Sequence, residues 1–141
     1  MAERLEVVAS WRGGYASLVR ARTHEVWIDE PVSAGGDDRG MMPTELFCAA
    51  LASCFCLALA HAARKREVEL PGLRVVVRAE RAGSELRYGR FVIEATADAA
   101  PECLAGLMEP ARRVCWISNT LGAGAEYEYR QTTGATPWAS E

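Results

Sequence analysis

A chain of 141 residues, half of them hydrophobic and a quarter charged, has the balance of a folded globular protein and the length for one domain with one core, which sets disorder aside. Its formal charge of −3 and isoelectric point near 5.5 leave no basic footprint for nucleic acid or for an anionic membrane surface. Five cysteines, an odd number without the spacing of a secreted disulfide scaffold, are expected as free thiols in a reducing compartment.

The opening MAERLEVVAS places Glu3, Arg4 and Glu6 early and lacks the apolar centre of a signal peptide, so a cytoplasmic location is expected. Two strand candidates, Leu5 to Trp11 and Tyr15 to Thr23, flank Arg12-Gly13-Gly14, a glycine-bearing link of the kind that closes a hairpin. A third strand, HEVWIDE, starts at His24 and is ended by Pro31. VSAGGDDRGMM, rich in Gly and Asp, reads as a surface loop. Pro43 then stands in a first helical turn, where its missing N–H costs nothing, and a helix runs from there to Arg64.

Beyond that helix the chain turns at Pro71-Gly72. LRVVVRAER and RFVIEATA, joined through AGSELRYG, predict a second hairpin. From Ala99 to about Val114 the composition is helical, and Pro110 predicts a kink or a split into two helices. AEYEYRQ alternates aromatic and charged residues and predicts a last short strand; in the tail GATPWASE, Trp138 is the one residue that offers an anchor. With no internal repeat, the order is strands then helix, twice, which predicts a single α+β domain over residues 1–141.

The stretch PTELFCAALASCFCLALAHAARKRE, from Pro43 to Glu67, holds three of the cysteines. Leu46 to Ala63 is a run of 18 residues without formal charge, the lower limit for a membrane span. Seven of the 18 are alanine, and Ser53 and His61 interrupt the run, so its transfer free energy is weak and a buried helix of small residues fits better. Cys48, Cys54, Cys56 and His61 resemble a metal cluster only on paper. At 100° per residue Cys54 and Cys56 point about 160° apart, and Cys48 and Cys56 lie about 12 Å apart along the axis, whereas zinc ligands converge within about 2.3 Å of one ion. No metal and no organic cofactor is expected.

Free cysteine is often a small buried hydrophobe, and that reading suffices for Cys48 and Cys56. Cys54 lies on the face of Phe47, Leu51, Leu57 and Ala58, and His61 is about 10 Å from it along the axis, too far for a hydrogen bond. By composition Cys54 is either packing or a reactive thiol. Cys115, in RRVCWISNTLG, follows Arg112 and Arg113, whose charge would favour a thiolate if they face it. One cysteine in each helical region would allow the thiols to meet if the helices pack side by side. A nucleophilic cysteine with a resolving cysteine is the minimum equipment for reversible peroxide reduction.

In VWIDEPVSAGG, in Pro43, Glu45 and Leu46 with Cys54 eleven residues after the proline, in AALASC and in CWISNTL, the chain resembles the OsmC/Ohr family of osmotically inducible and organic hydroperoxide resistance proteins. The resemblance covers nearly the whole chain. It implies an intertwined α+β homodimer in which two long central helices are wrapped by sheets of both subunits. It implies Cys54 as the peroxidatic and Cys115 as the resolving cysteine, an organic hydroperoxide as substrate and an external dithiol as reductant.

In the family's hydroperoxide reductases an arginine of the first hairpin and a glutamate at the helix start hold the thiolate. Arg12, in the turn, is the arginine expected here, ahead of Arg20 and Arg22 in the second strand. The family glutamate directly follows the proline, where this chain has Thr44. Glu45 is one place later, about 180° from Cys54 around a regular helix, and in its other reading is a first-turn carboxylate favourable to the helix dipole. Trp116 stands where the family often has proline. Trp11, Trp27, Trp116 and Trp138 either line an apolar pocket or pack in cores and interfaces, and neither His24 nor His61 has a neighbour that makes it a general base. A domain of this family that binds a small ligand without turnover, or senses redox state, is the alternative function. A helix of 22 residues, about 33 Å long, is hard to cover within so small a chain, an independent motive for a dimer.

Overall fold

The computed structural model describes residues 4–132, and the chain divides into two compact units, Met1–Leu46 with Glu128–Glu141, and Phe47–Tyr127. In the first unit, strands β1 (Val8–Trp11), β2 (Ser17–Ala21) and β3 (His24–Ile28) form an antiparallel meander in that order. Val8 pairs with Arg20 and Ser17 with Ile28, so β1 begins three residues later than the apolar run from Leu5 suggests. The first turn needs glycine: Gly13 and Gly14 have φ of 90° and 54°, a region costly for a side chain, and the Trp11 indole donates to the Gly14 carbonyl at 3.0 Å.

A single 3-10 turn (Val32–Ala34) follows β3, and the loop then returns to its own start. Ile28 bridges Met41 in parallel, and Asp29 N–H donates to the Met41 carbonyl at 3.2 Å. Two glycines permit this return. A Cβ on Gly36 would overlap the Glu30 carbonyl, and one on Gly40 the Trp27 carbonyl.

Helix α1 (Pro43–Lys65) begins in the first unit and runs into the second. Leu51, Phe55, Ala58, Leu59, Ala62 and Ala63 are buried, a 3.6-residue stripe on which the core of the second unit is built. By length and composition α1 would also cross a membrane; here this stripe is covered by protein. Strands β4 (Arg74–Arg81) and β5 (Tyr88–Thr96) pair antiparallel. Val75, Val77, Phe91, Ile93 and Ala95 pack on the cluster around α1, while alternate residues face outward and form the cross-strand pairs Arg78–Glu94 and Arg90–Glu80, as period-two patterning requires. Leu107 and Ala111 of α2 (Pro101–Val114) complete the core together with Cys115. Full burial of Leu51, Phe55, Leu59 and Leu107 stabilises this unit by about 1.5–3 kcal/mol per side chain.

Two expectations are corrected. Pro110 does not divide the second helical region: α2 runs through it, and the division falls at Cys115, whose extended backbone (φ −81°, ψ 100°) separates α2 from α3 (Trp116–Ala123). Proline removes one intrahelical donor, whereas an extended residue ends the helical path altogether. AEYEYRQ forms no strand among the described residues: no neighbouring strand pairs with it, and Tyr127 and Tyr129 are exposed, so its alternating pattern has no sheet to join. Trp138 and the tail lie outside the described residues.

Candidate active site

Five free cysteines are present, and their burial separates them. Cys115 is wholly buried, with 0% of its surface exposed, in the cluster of Leu51, Phe55, Leu59, Leu107 and Ala111. It is placed there as the joint of α2 and α3: its N–H donates to the Arg112 carbonyl, and its own carbonyl accepts from Asn119 N–H at 3.0 Å and the Ser118 hydroxyl at 3.3 Å. Cys54, on α1, is half-buried and packs against the same cluster. The two cysteines, 61 positions apart in the chain, are thus brought by tertiary packing to one apolar cluster, Cys54 half-buried and Cys115 fully buried. Cys48, Cys56 and Cys103 are half-buried and are not members of that cluster.

Around Cys54 the helix face is only partly the expected one. Leu51 and Ala58 are buried, but Leu57 is 68% exposed, and Phe47 meets Phe91 edge-on at a centroid distance of 5.8 Å. The arginines beside Cys115 do not turn toward its thiol. Arg112 and Arg113 both pair with Glu109, at 3.2 and 3.5 Å, on the exposed side of α2, while Cys115 points into the core. Their charge therefore goes to a carboxylate, and the thiol has an apolar surrounding.

Arg12 and Glu45 lie in the first unit. Arg12 is exposed and lines a shallow cavity of about 110 Å³ with Val8, Ser10, Leu18 and Arg20. Arg20 is held there by Glu25; the Arg12 guanidinium has no hydrogen-bond or ion-pair partner among the described residues. Glu45 is exposed and accepts a hydrogen bond from Met42 N–H at 3.2 Å, the carboxylate half of a capping box, in which a third-position side chain satisfies an orphan donor. Because α1 is continuous from Pro43 to Lys65, Glu45 and Cys54 of one chain stand on opposite faces, about 13 Å apart along the axis. His24 and His61 are exposed. Of the tryptophans, Trp11 and Trp116 are more than half exposed, and Trp27 lies under the Arg39 guanidinium, 5.9 Å away. Among the described residues no group of three or more His, Cys, Asp or Glu side chains is gathered to hold a metal.

Asp29 is the structural residue that the sequence did not reveal. It is buried, and its carboxylate accepts from the N–H groups of Glu30 (2.8 Å), Asp37 (3.3 Å) and Arg39 (3.2 Å). Burial by itself raises its pKa, but those N–H groups and the charge of Arg39 outweigh it and hold the group below the ordinary 3.8. The readable signal was an aspartate ahead of a glycine-rich loop whose N–H groups need acceptors.

Two small antiparallel sheets and three helices, one of them long, define an α+β fold shared with known structures. Among these are an OsmC-like protein from Mycoplasma pneumoniae (TM-score 0.70, 15% identity, covering 86% of this chain and 89% of that one) and an organic hydroperoxide resistance protein OsmC from Legionella pneumophila (0.64, 21%, 86% and 91%). An organic hydroperoxide resistance protein from Elizabethkingia anophelis, with thiocyanate bound, is similar as well (0.61, 23%, 86% and 91%). No curated protein sequence matches the chain. The family profile described as OsmC-like protein matches residues 35–130, and the chain belongs to the OsmC-like protein family.

Proposed function

We propose that the protein is a thiol peroxidase that reduces organic hydroperoxides through Cys54 and Cys115. The observation that carries this reading is the pair itself: two free thiols, one on α1 and one at the α2–α3 joint, at one apolar cluster, of which Cys54 is half-buried and Cys115 fully buried. A peroxide arriving from solvent meets Cys54 first. The Cys54 thiolate attacks the O–O bond, giving Cys54 sulfenic acid and an alcohol; the Cys115 thiol then displaces water from the sulfenic acid and closes a disulfide. An external dithiol reopens it by exchange and leaves as its own disulfide. An apolar surrounding suits an organic peroxide better than a charged one. The names of the Legionella and Elizabethkingia proteins agree with this substrate class.

Arg12, with its guanidinium unpaired, supplies the positive charge for the thiolate, and Glu45 orients that guanidinium. Since Glu45 cannot reach Cys54 of its own helix, the Cys54 it serves belongs to a second copy. The working unit is therefore a homodimer in the reducing cytoplasm. Ala50, Ser53, Leu57 and Ala60, exposed along the open face of α1, are the surface a second copy would cover. Light scattering that finds a monomer at micromolar concentration would remove this part of the proposal.

The test is thiol titration and intact mass of the reduced protein before and after one equivalent of an organic hydroperoxide. Loss of two thiols and about 2 Da per chain is expected, abolished in Cys54→Ser and replaced by sulfenic or further oxidation in Cys115→Ala. Slow oxidation spread over all five cysteines would overturn the proposal and leave a ligand-binding member of the family.

A further inference from the structure

Helices α2 and α3 meet at Cys115, and at the solvent side of that joint they leave a cavity of about 450 Å³ lined by Glu109, Arg112, Arg113, Ser118, Asn119 and Gly122. No apolar side chain lines it. We propose that this cavity binds a small organic oxyanion, a carboxylate or a phosphate ester, and that its occupancy holds the α2–α3 joint closed over Cys115.

Charge and donor count carry the assignment. Two guanidiniums face one carboxylate, which leaves one net positive charge. Arg112 gives one N–H to Glu109 at 3.2 Å and Arg113 only an ion pair at 3.5 Å, so most of the roughly ten guanidinium N–H groups stay available, in the fork geometry that suits carboxylate and phosphate. Both heads pair with Glu109, which brings the two guanidiniums to one side of α2. From α3, Ser118 brings a hydroxyl, and Asn119 is fixed across the joint by donating its amide N–H to the Arg113 carbonyl at 3.1 Å. The space over Gly122 is open: an added Cβ there would meet nothing within 4 Å. The volume exceeds that of inorganic phosphate and falls in the range of small-molecule sites.

The regulatory half follows from connectivity. Arginines before Cys115 and polar groups after it belong to different helices, and Cys115 supplies both the donor that ends α2 and the acceptors that start α3. A ligand gripping both sides disfavours any opening that exposes this thiol. It would thus slow disulfide closure or reduction wherever that opening is required, a consequence that rests on the peroxidase reading, whereas binding does not.

The experiment is thermal melting and pulsed alkylation of Cys115 with glycerol 3-phosphate, with succinate and with sodium chloride at equal ionic strength. A saturable rise in Tm with half-saturation on the order of 1 mM for one of the two organic anions is expected. It comes with at least about tenfold slower labelling of Cys115 and is lost in Arg112→Gln/Arg113→Gln. The phosphate and succinate arms separate the two anion classes. Single Arg113→Gln, which should weaken the response several-fold, serves if the double variant melts early. Cys54→Ser must keep the full response, so failure of the peroxidase reading stays distinguishable. A response matched by chloride, or retained in the arginine variants, overturns the site.

Discussion

Replacing each cysteine of the pair by serine exchanges sulfur for a hydroxyl of similar shape but different demand for hydrogen bonds. At position 115 no surface is exposed and the neighbours are Leu51, Leu59, Leu107 and Ala111, so the new hydroxyl leaves water without a side-chain partner in that cluster. Burying an unsatisfied hydroxyl costs about 1–3 kcal/mol. For a chain of this length each kcal/mol shifts Tm by about 4 °C, which predicts a loss of about 4–12 °C for Cys115→Ser. At position 54 the half-buried side chain keeps access to water, and Cys54→Ser should cost under about 1 kcal/mol. Cys115→Ala, which leaves no polar group behind, should cost less than Cys115→Ser and is the better variant for assigning the resolving thiol. The assay is calorimetry of the reduced proteins at one fixed protomer concentration, because association would couple Tm to concentration. Equal shifts for the two serine variants, or a neutral Cys115→Ser, would refute the assignment of one shielded and one open thiol.

Three further outcomes are expected. Asp29 has a folded pKa below 3.8, so its contribution is fully present above its unfolded value and lost as pH falls through the folded one; urea melts should show a constant gap between the protein and Asp29→Asn from about pH 5 to 7 that closes below about pH 4. Gly40→Ala forces a Cβ into the Trp27 carbonyl and should cost about 1–3 kcal/mol, whereas Gly106→Ala, inside α2 with open space around it, should stabilise by about 0.4–1 kcal/mol; denaturant midpoints decide both. Glu45→Gln retains an acceptor for Met42 N–H and should change Tm by less than about 1 kcal/mol equivalent, while peroxide-driven oxidation of Cys54 slows at least about tenfold; an unchanged rate would reduce Glu45 to a cap.

Periodicity alone determined most of the elements. Alternation in LRVVVRAER and the glycines after Trp11 marked hairpins because side-chain direction and positive φ are local properties. Pro43 and the apolar run behind it marked α1 to within a residue at its end, since cap and hydrophobic stripe lie in the same few turns. AEYEYRQ shows the limit of local pattern: alternation makes a segment ready for a sheet but does not supply the neighbouring strand. Pro110 shows a second limit, because one missing hydrogen bond is outweighed when Leu107 and Ala111 are buried on either side of it.

The cysteines mark the same division. Their number, and the presence of one in each helical region, could be read from the chain, as could the impossibility of a shared face for Glu45 and Cys54 on one helix. Only packing decided that Cys115 is sealed while Cys54 is half-buried, and that the Asp29 carboxylate is buried. Burial and pairing depend on what the rest of the chain brings alongside, across separations no local window spans, and that information exists only once the core has closed.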